Sequence, residues 1–412
     1  MLRSSLVILL GTAGAQLIAL ACVPIISRTY APESFGEFQL VLSLVTFLLP
    51  LVTLRYEIAF LRARSERRLR DLVMLVVTAV AIVPLAVWIG MEIIVAIFFA
   101  DVPRALWMTW VLPAMLMGAG LFQSATQLAV QMDRPTLVAS SKLSQTGLTQ
   151  GASVALGVLV FAGPTSLVLA DIIGRGTGTA VIMARWLQGF GRNEWRISPH
   201  RMWQAARIYR RYPLFNVPSG IIGATSSALP VFALAVAFSE EVAGQFGMTT
   251  RILIFPFGMI LAAFGQALSG RYAEMTRRND PARRSFLLSV VIRSASVGLL
   301  VCGAIMLYGE AAIVYFLGDQ WELAGKMSVA LTPYLLAVFL SGPINMVMVI
   351  AGKSAWQFKW DVTRLGFVIL AFWVAYIFAF SPISLITIYA CAMLAGSGVY
   401  VWLALKHATG KI

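Results

Sequence analysis

The chain has 412 residues, of which 59% are hydrophobic and only 12% charged, with 32 lysines and arginines against 18 acidic residues. That apolar load excludes an ordinary soluble globular protein. The pI near 10.1 invites a nucleic-acid reading, but every basic run sits at the end of an apolar stretch, where membrane topology and anionic headgroups account for it.

Apolar stretches follow one another at Ser4–Arg28, Phe35–Leu61, Leu72–Phe99, Ala105–Val130, Val138–Phe161, Ser166–Leu187, Leu214–Ala237, Ala243–Ser269, Phe286–Tyr308, Ala324–Ile350, Val362–Phe380 and Ile383–Leu405. Each has at least about 19 residues, enough at ~1.5 Å per residue to cross a hydrocarbon core of ~30 Å. The first is too long for a secretory signal and a second span follows at once, so it reads as an anchor. Cys22, Cys302 and Cys391 lie inside spans as packing residues, without disulfide or metal spacing.

The interruptions alternate. One set is short and poor in base: 29–34, 100–104, 162–165, 238–242, Gly309–Leu323 and 381–382. The other set carries most of the arginines, in runs such as Arg62, Arg64, Arg67, Arg68 and Arg70, or Arg277, Arg278, Arg283 and Arg284. The positive-inside rule puts the basic set and both termini in the cytoplasm and Gly309–Leu323 outside, in a multi-pass membrane protein.

A repeat divides the chain. Glu33-Ser34-Phe35-Gly36-Glu37-Phe38 heads the second span, and Glu241-Val242-Ala243-Gly244-Gln245-Phe246 heads the eighth, sharing Glu-x-x-Gly-x-Phe. Arg55-Tyr56-Glu57 is echoed by Arg271-Tyr272-Ala273-Glu274, Phe99-Ala100-Asp101 by Leu317-Gly318-Asp319, and Leu112-Pro113 by Thr332-Pro333. Together these indicate duplication of a six-span unit, whose halves share orientation about an axis along the membrane normal. The expected organisation is a six-helix bundle at 1–187, a basic cytoplasmic linker at 188–212 and a second six-helix bundle at 213–412. Within the linker, Met202, Trp203, Ala206 and Tyr209 fall on one helical face and His200, Arg201, Gln204, Arg207 and Arg211 on the other, which predicts a helix in the headgroup layer.

Ionisable residues remain inside spans or at their edges: Arg28, Arg55, Glu57, Asp171, Arg175, Arg251 and Arg293. A central arginine costs ~2.5–3.5 kcal/mol on insertion scales, so several of them argue for a hydrated or ligand-filled cavity. Asp171 and Arg175 stand at i, i+4 and pair along one helix face, as a structural ion pair or as ligand groups. Arg28 and Arg293 have the alternative of snorkelling to headgroups. No metal-spaced cluster and no phosphate loop for ATP is present, both histidines sit at the cytoplasmic boundary, and no cofactor is expected.

Arg28 to Phe38, Leu54-Arg55-Tyr56-Glu57-Ile58-Ala59, Arg210 to Ser219 and Gly318-Asp319-Gln320-Trp321-Glu322-Leu323-Ala324-Gly325 together resemble the bacterial polysaccharide export, or O-antigen flippase, family of the multidrug, oligosaccharidyl-lipid and polysaccharide exporter superfamily. The resemblance implies an all-α integral membrane protein with about twelve transmembrane helices in two six-helix bundles around a central cavity. It implies a cargo, an undecaprenyl-diphosphate-linked oligosaccharide moved from the cytoplasmic to the periplasmic leaflet, and partners in the polysaccharide polymerase and chain-length machinery. Arg28, Arg55 and Arg251 are similar in position to cationic cavity residues of the lipid II flippase in the same superfamily. Arginine suits a diphosphate because its planar fork is permanently charged and bidentate. Tyr56, Gln123, Gln127, Gln145, Asn216, Ser226 and Asn345 are available for sugars. The alternatives are a cation-coupled multidrug exporter of the same fold, which needs a central acidic residue, and a membrane polysaccharide polymerase.

Overall fold

The computed structural model describes residues 2–63, 65–98, 106–188, 198–278, 280–345, 347–351, 354–378 and 380–407. Fifteen α-helices run through them: α1 Leu2–Thr29, α2 Pro32–Val52, α3 Glu66–Phe98, α4 Leu106–Gln131, α5 Pro135–Leu159, α6 Pro164–Leu187, α7 Pro199–Ile208, α8 Val217–Ala237, α9 Glu240–Arg277, α10 Arg283–Leu317, α11 Glu322–Ala330, α12 Thr332–Ser341, α13 Val347–Ile350, α14 Ser354–Ile377 and α15 Pro382–His407. No strand occurs among the described residues. Proline opens α2, α5, α6, α7 and α15, the position where its missing N–H costs nothing and its fixed φ already suits the helix. Ser239 caps α9, its hydroxyl accepting from the Val242 amide at 3.3 Å, with Glu240 and Glu241 in the first turn.

Among the described residues, eight helices are each long and apolar enough to cross a membrane: α1, α2, α3, α6, α8, α9, α10 and α15. The segments Asp319–Ala330 and Thr332–Ile344 make a further span bent by 49°. With α4, α5 and α14, of 26, 25 and 24 residues, the chain is an all-helical membrane protein of about twelve spans.

By contacts the chain forms two compact units, Met1–Tyr30 with Val41–Ala224, and Ala31–Leu40 with Thr225–Ile412. In the first unit, Gly174 and Gly178 of α6 leave room for the Thr149 and Gln145 side of α5, and Ser141 donates to the Gly178 carbonyl at 2.7 Å. Tyr30 Oη donates to the Ser153 carbonyl at 2.7 Å, and Lys142 Nζ to Thr12 Oγ1 at 3.1 Å, tying α1 to α5. Small faces and interhelical hydrogen bonds are what hold helices together where lipid removes the hydrophobic drive. In the second unit Ser294 donates to the Phe339 carbonyl at 2.7 Å. The break at Gly342–Ile344 frees carbonyls that Tyr400 Oη recovers, at 3.2 Å from Ile344 O and 2.9 Å from Asn345 O.

The repeat has a physical meaning in the second unit. Gly36 and Gly244, equivalent residues of the two Glu-x-x-Gly-x-Phe motifs, face each other backbone to backbone. A Cβ on Gly36 would strike the Glu240 carbonyl, and one on Gly244 would strike the Pro32 carbonyl and lie 2.8 Å from Gly36 N. Each copy therefore uses its glycine against the other, as in a two-fold contact. The copies then diverge: α2 stops at Val52, and Leu54 and Arg55 follow with φ of 50° and 56°, whereas α9 continues unbroken through Arg271-Tyr272 to Arg277.

Three expectations change. The ninth stretch does not end at Tyr308: α10 runs to Leu317, so most of the expected outer loop Gly309–Leu323 is helix, and the turn is Gly318 at φ 102° with a short 3-10 helix Asp319–Trp321. Glycine and glutamate at 309 and 310 lower hydropathy without breaking a helix. The second stretch is apolar to Leu61 but helical only to Val52, after which a 3-10 helix Tyr56–Arg62 takes over. The linker helix forms as α7, but its buried centre is Ala205, with Trp203 69% exposed. The side that packs on α3 has Ala205 at its centre and brings Arg201 to Asp71. The Phe99-Ala100-Asp101 repeat and linker residues 189–197 lie outside the described residues.

Candidate functional site

Arg55 and Glu57 are brought together in the first unit, on the segment that leaves α2. Leu54 and Arg55 both occupy the left-handed backbone region, which costs about 1–3 kcal/mol per non-glycine residue and persists only where the surrounding structure over-determines the backbone. The Arg55 amide donates to Thr53 Oγ1 at 3.3 Å. Its guanidinium reaches Glu57, with Nη1 3.7 Å from Oε1. It also lies across α8 at Gly220, where a Cβ would sit 2.6 Å from Nη2 and 2.9 Å from Nε. Only glycine admits that approach.

Glu57 is fully buried. Gln123 of α4 donates from Nε2 to Glu57 Oε1 at 2.7 Å, while Oε2 has no hydrogen-bond partner among the described residues. An orphaned buried carboxylate oxygen costs about 1–3 kcal/mol or more if charged. Arg55 keeps roughly a quarter of its side-chain surface exposed and Glu57 none. The carboxylate is thus a fixed counter-ion under a cation that remains open to a ligand.

Asp171 and Arg175 also meet, Arg175 Nε donating to Asp171 Oδ2 at 2.6 Å, with side chains 15% (Arg175) and 9% (Asp171) exposed. Arg175 packs over Gly118 of α4, the helix that carries Gln123. The pair is closer than Arg55–Glu57 and its arginine less exposed, so its two charges neutralise each other. Arg28, in the last turn of α1, is exposed in the first unit, where a cation complements the helix dipole.

In the second unit Arg251 lies over the Phe35 ring, 5.8 Å from its centroid. Phe35 meets Trp321 edge-on at 5.9 Å, and both rings are completely buried. Gln245 locks the same corner, donating to the Gln320 carbonyl at 2.7 Å and accepting from the Ala324 amide at 2.9 Å. Thr249 donates to the Ala324 carbonyl at 3.1 Å. The Gly318–Gly325 segment is therefore a packing joint that seats α9 and with it Arg251. Arg293, on α10 of this unit, is exposed.

Residue type and spacing did not mark Gly220 or the pairing of Gln123 with Glu57. Gln123 stood among candidate sugar contacts but is already engaged, and Tyr56 is engaged too, donating to the Ala206 carbonyl at 3.3 Å. A glycine three residues into a helix carries no signal until the arginine it faces is known.

The all-helical fold of about twelve spans is like that of MATE transporters and of the flippase MurJ. A lipid II flippase, MurJ, in an inward closed conformation is similar over 97% of this chain and 87% of its own, with a TM-score of 0.74 and 11% identity. A multidrug resistance MATE family transporter of the MOP superfamily, in an inward-facing conformation, is similar over 96% of this chain and 94% of its own, with a TM-score of 0.65 and 14% identity. A MOP superfamily transporter from Pyrococcus furiosus, described as having a binding pocket of reverse polarity, is similar over 100% of this chain and 96% of its own, at TM-score 0.62 and 12% identity. No family model and no curated protein matches the sequence.

Proposed function

We propose that this chain is a flippase for an undecaprenyl-diphosphate-linked oligosaccharide, moving it from the cytoplasmic to the periplasmic leaflet of a bacterial inner membrane by alternating access. The carrying observation is Arg55: a guanidinium set by a left-handed backbone, a glycine gap and a buried carboxylate, at the edge of a span. Such a group is built to meet an anion, and its planar fork matches the oxygens of a phosphate. Arg28 and Arg251 are assigned to the same headgroup at other stages of its passage. Residues 1–187 and 213–412 are the two moving bundles and 188–212 the cytoplasmic linker. The glycan passes with its diphosphate while the polyprenyl tail stays in lipid, and both termini face the cytoplasm.

The multidrug-exporter reading of the same fold needs an acidic residue free to take a cationic cargo or coupling ion. Asp171 is committed to Arg175 at 2.6 Å, and Glu57 is sealed beneath Arg55 and Gln123, which favours the anionic cargo. The test is a deletion strain. Undecaprenyl-linked oligosaccharide should accumulate in the inner leaflet. Normal flipping with unpolymerised product on the outer face would instead support a polymerase.

A further inference from the structure

α7 leaves a stripe of His200, Trp203, Gln204, Arg207 and Ile208 outward, continued by exposed Arg210 and Arg211. Trp203 is 69% and Ile208 58% exposed, and Leu214 and Phe215 on the π-helical turn just beyond are 63% and 69% exposed. Large apolar side chains among arginines, at a span boundary, match a headgroup layer: the rings and aliphatic chains enter the acyl boundary and the guanidinium groups meet anionic lipid. The opposite side of α7 does something else. Its Ala206 carbonyl accepts from Tyr56 Oη at 3.3 Å, and Arg201 Nε lies 3.8 Å from Asp71 Oδ1 of α3. Tyr56 is the residue between Arg55 and Glu57, and it is 6% exposed.

We infer that the exposed face of α7 is a docking surface for an anionic lipid leaflet, and that this contact regulates the Arg55–Glu57 segment through Tyr56. α7 grips the strained segment from one side and the leaflet from the other. Lipid charge that holds α7 down therefore holds Tyr56, and with it the backbone that aims Arg55. In a neutral membrane the arginines lose their partners, α7 loosens, and the left-handed turn at Leu54 and Arg55 is free to relax. This rests on the proposed reading in placing α7 at the cytoplasmic leaflet, but its test requires no cargo.

The experiment is hydrogen exchange of the full-length protein in phosphatidylcholine vesicles, and in vesicles of phosphatidylcholine and phosphatidylglycerol in equal parts, following amides 53–62. Slower exchange is expected with the anionic lipid, by up to about 5-fold for each arginine engaged. Arg207→Gln with Arg211→Gln should abolish the difference while leaving exchange in neutral vesicles as in wild type. Tyr56→Phe should leave the segment fast in both. Raising ionic strength must remove the difference in unmodified protein, which secures the test if a variant fails to fold. Equal protection of 53–62 in both lipids would overturn the inference. Wild-type protein that shows the lipid response but flips no lipid-linked glycan would count against the flippase reading alone.

Discussion

Gly220→Ala separates a positioning role from a structural one. The added methyl would stand 2.6 Å from Arg55 Nη2, 2.9 Å from Nε and 3.0 Å from Pro50 Cβ, where ordinary contact begins at 3.4 Å. The guanidinium must therefore retreat by about 0.8 Å, and it is the far end of a flexible side chain, so it moves in preference to backbone. Alanine inside a helix gains up to about 1 kcal/mol over glycine, which offsets the crowding at Pro50 and leaves thermal stability unchanged or slightly raised. Binding geometry does not share that tolerance: a displacement near 1 Å of a group that orients a reacting or transported centre costs on the order of 100-fold. Gly220→Ala is thus expected to keep wild-type abundance and melting temperature while lowering glycan export by about 10- to 100-fold. Gly223→Ala is the control, since an added methyl there meets nothing within 4 Å, and export should be unaffected. The assay is complementation of a deletion strain for surface glycan, paired with melting of the purified protein. Full export by Gly220→Ala, or equal loss in both variants, would refute the account of how Arg55 is aimed.

Gln123→Leu removes the hydrogen-bond donor to Glu57 Oε1 and should cost about 1–3 kcal/mol, read as a lower melting temperature; an unchanged melt would show that the carboxylate is satisfied otherwise. Arg175→Leu leaves Asp171 buried without its partner and should destabilise by about 3–5 kcal/mol, with Asp171→Leu in the same chain restoring most of it. Export by that folded double variant then decides whether the pair is structural, as full activity would establish, or part of the path. Gly36→Val and Gly244→Val both drive a side chain into opposing backbone, so both should abolish folded protein in membranes, and normal abundance of either would contradict the two-fold contact. Reporter fusions at the C-terminus and near Asp319 should report opposite sides of the membrane, and the same side for both would overturn the positive-inside reading.

Apolar length and basic loops located all twelve stretches, because helix length and charge placement are what a bilayer selects. They did not find where helices stop. Leu54 and Arg55 are neither glycine nor proline, and their left-handed turn goes with what Arg55 meets at Gly220, a residue far along the chain. α10 overran its expected end because the drop in hydropathy at Gly309 and Glu310 is no stop signal: a lone glycine costs about 1 kcal/mol, which a helix of 35 residues absorbs. α7 forms as a helix where expected, but the pattern of one helix does not tell which side the protein covers: Trp203 faces outward and Arg201 turns to Asp71. The i, i+4 pairing of Asp171 and Arg175 was legible since it is local, whereas Gln123 with Glu57 spans 66 positions and needed the fold. Segments that carried the family resemblance, notably Gly318–Gly325, hold α9 in place through Gln245 and Thr249, so a motif can mark a fold's joints as readily as its site.

Arg55 is proposed to meet the diphosphate of a lipid-linked glycan during its passage. Purified protein in proteoliposomes should move undecaprenyl-diphosphate-linked oligosaccharide between leaflets; Arg55→Ala, folded and equally abundant, should not, and Arg55→Lys should retain charge-dependent binding with slower movement. Undiminished movement by Arg55→Ala, or wild-type protein that transports organic cations while leaving the lipid-linked glycan in its leaflet, would contradict the account.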